Sequence, residues 1–129
     1  MAFELQMLAW AVVLGLVHLA LSATLSTQQR GLAWNAGPRD GQAKPLTGVA
    51  ARMDRALHNF RETFGFFAVA VLAVVIAQKT NAHTALGAQM YLWARVVYVP
   101  VYAAGIPYLR TLVWAAATAG LVMVMQPLF

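Results

Sequence analysis

Four long apolar stretches, separated by short polar segments, dominate the pattern of hydrophobic and polar positions along the chain. They cover about residues 3–27, 49–77, 84–104 and 108–127. A helix that crosses a hydrocarbon core needs roughly 20 residues at 1.5 Å per residue, and each stretch is about that long or longer. The pattern therefore predicts an all-α integral membrane protein, a four-helix bundle formed by one domain over residues 1–129.

The predicted spans are joined by one long and two short connections. Residues 28–48 hold several glycines and two prolines among polar residues, which is typical of a loop. The second helix then opens on the charged segment RMDRALHNFRE before its apolar part begins. A polar turn, QKTNAH, follows the second span, and Gly105 and Pro107 mark a tight connection after the third.

The composition supports a membrane protein and excludes several kinds of chemistry. With 61% hydrophobic and 10% charged residues, the chain has too little charge for an ordinary soluble domain. It has no cysteine, which excludes a disulfide framework, a thiolate metal site and a cysteine nucleophile. No two histidines have a metal-ligand spacing, so we predict no metal site.

The distribution of charge predicts an orientation in the membrane. The formal net charge of +5 is compatible with nucleic-acid binding, but most cations gather around the first loop, and the positive-inside rule explains that placement better. The cations of this group are Arg30, Arg39, Lys44, Arg52, Arg55 and Arg61. We therefore predict a cytoplasmic first loop and outward-facing termini. A cleaved signal peptide is disfavoured because Glu4, and no Lys or Arg, precedes the first apolar run.

Two polar stripes lie on the second and third predicted helices, at spacings of three and four residues that place each stripe on one face. The stripes are Arg52, Arg55, Asn59 and Glu62, and Tyr91, Arg95, Tyr98 and Tyr102. An arginine within a span costs about 3 kcal/mol or more, so Arg95 needs an interior position and an acidic partner. Glu62 is the leading candidate for a structural ion pair with Arg95.

The polar residues have two interpretations. They are either internal contacts that hold the helices together, or a binding site. Arg55, Asn59, Tyr98, Tyr102 and Arg110 offer more donors than Glu62 and Asp54 can accept. Such a surplus of cationic donors favours an anionic ligand.

The motifs RALHNFRE and ARVVYVPVYAAGIPYLR resemble those of the MAPEG family, the membrane-associated proteins in eicosanoid and glutathione metabolism, and in particular its small bacterial branch. The resemblance extends over nearly the whole chain. It implies a homotrimer in a bacterial inner membrane, with a glutathione site between neighbouring subunits near the cytoplasmic face. It also implies membrane lipid, a small thiol and a lipophilic substrate as partners, and no nucleic acid.

Residue by residue, the resemblance assigns two groups to the site. The implied glutathione-binding residues are Arg30, Arg55, Asn59, Glu62, Tyr98 and Tyr102. Arg110 corresponds to the arginine that faces the glutathione sulfur in catalytic members, so Arg110 and Tyr102 are the implied catalytic residues, favouring the thiolate. Our leading hypothesis is a glutathione transferase or peroxidase that acts on a lipophilic electrophile. The alternatives are a non-catalytic protein that binds a lipid or small anion in the same pocket, and a purely structural trimer.

Overall fold

The computed structural model describes residues 1–129 and is helical throughout, without strands. Its elements are α1 (Phe3–Arg30), α2 (Leu32–Ala36), α3 (Gly48–Ile76), α4 (Ala82–Ala103), α5 (Pro107–Met125) and a final 3-10 turn (Gln126–Leu128). The all-α prediction is confirmed. The one element that the sequence did not predict is α2, a short helix inside the first loop.

Three of the long helices are both long and apolar enough to cross a membrane: α1, α3, and α5 together with its 3-10 turn. The fourth, α4, is 22 residues long but is not among them. Polar residues such as Gln89, which is exposed, and Arg95, which is buried, interrupt its apolar sequence. Three of the four predicted spans are therefore supported by length and composition, and a crossing by α4 stays a prediction.

The closest helix packing joins α4 to α5, where glycines from the two helices meet. A Cβ atom added at Gly87 would lie 2.6 Å from the carbonyl oxygen of Gly120, and one added at Gly120 would lie 2.5 Å from that of Gly87. No side chain fits at either position without moving a backbone. Small residues at such crossings allow helices to approach closely where lipid provides no hydrophobic driving force between them.

The core lies between α3, α4 and α5, with a contribution from α1. The rings of Phe67 and Tyr91 stack with centroids 4.0 Å apart, and Val71, Val74 and Val124 are fully buried around them. Tyr91 also shares a hydrogen bond of 2.9 Å with the hydroxyl of Thr63. The core thus fixes α3 against α4 at the Tyr91 end of the polar stripes.

The helices α1 and α3 run antiparallel. Gly15 lies against the Phe60 ring near the middle of α1, while the side-chain amide of Gln29 forms two hydrogen bonds with the backbone of Thr47, at 3.0 and 2.9 Å, near the ends of the two helices. These contacts hold the start of α3 beside the end of α1. All basic side chains of the first loop and of early α3 therefore lie at one end of the molecule.

A tight turn connects α4 to α5 at that same end. Gly105 adopts a φ of 74°, a left-handed conformation that glycine tolerates better than any other residue. Pro107 begins α5, where its fixed φ suits the first helical turn and its missing N–H costs nothing. The turn returns the chain so that Arg110 faces the first turns of α3.

Candidate anion-binding site

A cavity of about 320 Å³ lies where α3 meets the α4–α5 turn. Its lining consists of Arg52, Arg55, Tyr102, Gly105, Ile106, Pro107 and Arg110. It therefore contains three arginines and no acidic residue. Because guanidinium groups bind carboxylates and phosphates through paired N–H donors, this arrangement is suited to an anion.

Arg52 fixes the turn that closes this cavity. Its Nε donates a hydrogen bond of 2.8 Å to the carbonyl oxygen of Ala103, at the C-terminal end of α4. A cation at this position satisfies a helix-terminal carbonyl and complements the helix dipole. The sequence pattern predicts Arg52 on the polar stripe of the second helix, but Arg52 is not among the implied glutathione-binding residues. Its spacing of three residues from Arg55 was the signal that could have included it.

Tyr102 lies between two of the arginines. The Nε of Arg55 donates to the Tyr102 hydroxyl at 3.2 Å, and the guanidinium carbon of Arg110 is 4.9 Å from the centre of the Tyr102 ring. The guanidinium carbon of Arg55 is 5.9 Å from the same ring centre. Since the hydroxyl accepts from Arg55, its own proton stays free to be donated to a ligand.

A second cavity, of about 200 Å³, shares Arg110 with the first. It is lined by Asn59, Tyr98, Arg110, Thr111 and Trp114. The rings of Tyr98 and Tyr102 meet edge to face, 5.4 Å apart, and connect the two linings. The structure thus brings together five residues that the resemblance assigns to the site, namely Arg55, Asn59, Tyr98, Tyr102 and Arg110. Trp114, an aromatic wall of the second cavity, was not predicted.

Arg95 is buried beneath these cavities, with 1% of its surface exposed. Its Nη1 donates to the side-chain oxygen of Asn59 at 2.7 Å, and its guanidinium carbon lies 4.2 Å from the centre of the Tyr98 ring and 5.5 Å from that of Phe60. Its Nε has no hydrogen-bond partner. Arg95 therefore supports Asn59 and Tyr98 from below.

The predicted ion pair between Glu62 and Arg95 is not formed. The one ion pair in the chain joins His58 to Asp54 at 3.8 Å, and it exists only when the histidine is protonated. Glu62 is exposed on α3, whereas Arg95 reaches α3 one turn earlier, at Asn59. An amide and two aromatic faces replace the expected carboxylate as the surroundings of this cation.

Two predicted ligand-binding residues lie outside both linings. Glu62 borders neither cavity. Arg30 is also absent from them, and its Nε donates to the carbonyl oxygen of Lys44 at 2.7 Å, which ties the end of α1 to the first loop. Within a single chain, the site is therefore built from α3, α4 and α5.

His18 is a second buried polar residue that the sequence does not explain. It is 1% exposed, neither ring nitrogen has a hydrogen-bond partner, and its ring centre is 6.2 Å from that of Phe60. An ionisable side chain within a membrane span often marks a functional site, but the residue pattern of α1 indicates no partner for His18.

Three helices suited to a membrane, with several arginines gathered at one end, define an α-helical integral membrane protein. The model of the MAPEG family matches residues 7–126, nearly the whole chain, and the chain belongs to this family. The resemblance seen in the two motifs is thereby confirmed. Membership makes the chain a membrane protein of the family of glutathione and eicosanoid metabolism. No curated protein and no solved structure matches it.

Proposed function

We propose that the protein binds glutathione in the two connected cavities and transfers it to a lipophilic electrophile. The observation that carries this proposal is a cavity lined by Arg52, Arg55 and Arg110 beside Tyr102, with no acidic residue in the lining. Glutathione carries two carboxylates and a thiol, and each of these groups finds a suitable donor there.

The geometry suggests a division of roles within the site. Arg52 and Arg55 lie on the α3 side of the larger cavity and bind the glutathione carboxylates. Arg110 borders both cavities, and Tyr102 lies beside it, so these two stabilise the thiolate near the second cavity. A cation and a hydroxyl donor beside sulfur favour the ionised, nucleophilic form.

The proposed transfer is a substitution at carbon. The thiol gives its proton to solvent, and the thiolate sulfur then attacks the electrophilic carbon, so that a C–S bond forms while the leaving group departs with its electron pair. In the peroxidase version the thiolate attacks an oxygen of an organic hydroperoxide, so that an S–O bond forms, the O–O bond breaks, and the alkoxide leaves and takes a proton to become the alcohol, which leaves glutathione sulfenic acid. The thiol of a second glutathione then attacks the sulfenic sulfur, so that the S–S bond of glutathione disulfide forms and the S–O bond breaks with release of water.

We further propose that α4 crosses the membrane beside the other three long helices and that the chain forms a homotrimer in a bacterial inner membrane, with a cytoplasmic first loop. Arg55 and Glu62 are both exposed on α3, in and beside the segment that enters the membrane. Charged groups at such positions favour cover by a neighbouring copy. In such a trimer, Glu62 and Arg30 of one copy complete the site of a neighbouring copy.

The binding step is tested by thermal unfolding of the detergent-purified protein across glutathione concentrations, because a ligand that binds only the folded state raises Tm. We expect a saturable increase in Tm. Arg55→Gln should weaken binding by about tenfold or more, since a charge-assisted hydrogen bond is worth about 1.5–3 kcal/mol. Arg39→Gln, which removes a cation from the loop and not from the cavities, is the matched control and should bind normally.

The catalytic step is tested with an apolar aryl halide as electrophile and release of halide as the readout. Arg110→Gln should lower kcat at saturating glutathione much more than it lowers glutathione affinity, because its proposed role is at the thiolate. S-methylglutathione should bind and give no product. Equal rates for Arg110→Gln and the unmodified protein would contradict a role for Arg110 in the reaction.

The non-catalytic alternative rests on the same lining. Three arginines without a carboxylate also suit the phosphate of a lipid or another small anion. If glutathione leaves Tm unchanged at millimolar concentration while a short-chain phosphatidic acid raises it in an Arg55-dependent way, the site is a binding site for an anionic lipid and not for the thiol.

A further inference from the structure

A row of uncovered residues runs along α3 at alternating spacings of three and four. The row, which we call the α3 seam, consists of Arg55, His58, Glu62, Gly65, Val69, Leu72 and Ile76. Each member is exposed, so no other part of the chain covers the seam. Alternating spacings of three and four repeat every seven residues, and this heptad pattern is typical of a helix that packs along its length against a second helix.

The opposite side of α3 packs into the core of the chain. Met53, Phe60, Phe67 and Val74 follow one another every seven residues, and none of them is more than 5% exposed. Helical geometry places these four residues across the helix from the seam. One side of α3 is therefore used within the chain, and the other side is free for a helix from outside it.

Two pairs of adjacent charged residues make the seam complementary to a second copy of itself. Asp54 precedes Arg55, and Arg61 precedes Glu62. Where two heptad helices lie parallel and in register, a residue at the first heptad position packs beside the partner residue that comes just before its own counterpart. Glu62 of one copy then lies beside Arg61 of the next. By the same geometry Arg55 lies beside Asp54, so both contacts join opposite charges.

The same charges oppose a shift of one heptad in either direction. A shift one way would place Arg55 beside Arg61, and a shift the other way would place Glu62 beside Asp54. Like charges brought together in this way cost free energy. Copies related by rotation about one axis hold their helices parallel and level, which is the register that joins opposite charges. Within the chain neither Arg61 nor Glu62 forms an ion pair, so both are available to a neighbour.

Gly65 follows Glu62 in the seam and has no packing role within the chain. A Cβ atom added at Gly65 would have no neighbouring atom within 4 Å, in contrast to Gly87 and Gly120 at the crossing of α4 and α5. A small residue in a seam between two helices lets their backbones approach closely. Contact with a second copy gives a physical reason for a glycine at this position.

We propose that copies of the chain associate through the α3 seam, with their α3 helices parallel and in register and with Arg61 of each copy paired to Glu62 of the next. This association presupposes the homotrimer of the proposed function and assigns the helix and the ion pair that hold it together. Arg61 borders neither glutathione cavity, and the pairing gives its charge a partner.

Disulfide cross-linking tests the position of the seam, because the chain contains no cysteine and a single introduced one reports on one place. Equivalent seam positions of neighbouring copies face each other at the same level in the proposed assembly. Leu72→Cys should therefore give a cross-linked dimer on mild oxidation in native membranes, which needs Cα atoms within about 7 Å. Leu112→Cys on α5 is the matched control and should stay uncross-linked, because Leu112 lies off the seam although it is more exposed, at 67% against 45%.

Charge reversal tests the ion pair. Arg61→Glu would face Glu62 of the neighbour, and Glu62→Arg would face Arg61, so each variant should raise the dissociation constant of the oligomer about tenfold in native mass spectrometry. The variant that carries both changes restores opposite charges with their signs exchanged and should regain the oligomeric mass of the unmodified protein. Arg39→Glu, a charge reversal in the first loop, is the control and should leave that mass unchanged.

Cross-linking of Leu112→Cys without cross-linking of Leu72→Cys would overturn the proposal, because the copies would then meet at another face. So would a doubly changed variant that dissociates as readily as either single one. If glutathione raises Tm in a protein whose Leu72→Cys variant does not cross-link, the seam is refuted while the proposed glutathione binding stands. Cross-linking at Leu72 in a protein whose Tm does not respond to glutathione supports the seam and contradicts the glutathione site.

Discussion

The two ends of the molecule differ in whether their polar side chains are paired within the chain. At the end formed by the start of α1 and of α4, which we call the Glu4 end, Glu4 is 3% exposed and accepts a hydrogen bond of 2.9 Å from the hydroxyl of Thr84. Thr84 and Asn81 form a reciprocal capping box, and His83 contacts Gln126 at 2.6 Å. These polar groups are paired within the chain.

At the other end, which we call the arginine end, Arg52, Arg55 and Arg110 border a cavity and face no acidic residue in its lining. Arg52 and Arg55 use one N–H each in hydrogen bonds to Ala103 and Tyr102, which leaves most of their donors free. The contrast distinguishes a structural polar cluster from a ligand site. The former pairs its own groups, whereas the latter keeps donors for a partner from outside.

The largest effect should come from Thr84→Val, which keeps the volume and removes the hydroxyl. Glu4 would lose its buried donor and Asn81 the second half of the capping box, at a cost of about 2–3 kcal/mol in the free energy of unfolding. The measurement is equilibrium unfolding in mixed detergent. Thr24→Val removes a hydroxyl that bonds only to its own helix, at Ala20, and should be nearly neutral. Equal losses of unfolding free energy in the two variants would contradict a stabilising role for the hydrogen bonds at the Glu4 end. Glutathione affinity should be unchanged in both variants.

A smaller and mixed effect is expected for Arg52→Gln, because Arg52 both binds the carbonyl of Ala103 and borders the cavity. Loss of the hydrogen bond should cost about 1 kcal/mol of stability. Glutathione affinity should fall several-fold, because the variant removes one cation and loosens the turn at Gly105. Unfolding and ligand titration of the same sample measure the two effects. A loss of stability with unchanged affinity would limit Arg52 to a structural role.

The smallest effect should come from salt. Raising ionic strength from about 0.1 to 1 M shortens the Debye length from about 10 to 3 Å, so exposed charges at the arginine end are screened and glutathione affinity should fall a few-fold. The neutral hydrogen bonds at the Glu4 end and the buried carboxylate should respond much less. Isothermal titration with sodium chloride and with an equally ionic control salt separates screening from competition by chloride. Affinity that is independent of salt would contradict an electrostatic site.

The helices could be predicted from the sequence. So could the polar face of α3 that carries Asn59 and the polar face of α4 that carries Tyr98 and Tyr102, because helical periodicity fixes which residues of a helix lie on one side. The partner of Arg95 could not. Whether Arg95 contacts Glu62 or Asn59 depends on the position of α4 along the axis of α3, to within one helical turn. Packing contacts between the two helices, such as the stacking of Phe67 on Tyr91, determine that position.

The first loop shows the same limit. The sequence pattern predicted a loop over residues 28–48, and the family resemblance assigned Arg30 to the ligand, but in the structure the Nε of Arg30 donates to the backbone carbonyl of Lys44. Backbone carbonyls occur at every residue, so the residue pattern carries no signal for such a contact. Arg55 and Arg110 were easier to anticipate because the surplus of cationic donors over nearby acids is visible in the sequence itself, whereas Arg52 was not assigned to the site.

The glycine crossing of α4 and α5 also bears on how the chain is made. Of the long helices, α4 is the one that is not apolar enough to be recognised as a span by itself, while α5 is among the three that are. Their backbones meet at Gly87 and Gly120, and only the short turn at Gly105 separates them. We therefore expect α4 and α5 to insert as one helical hairpin, in which the more apolar α5 favours the entry of α4 into the membrane.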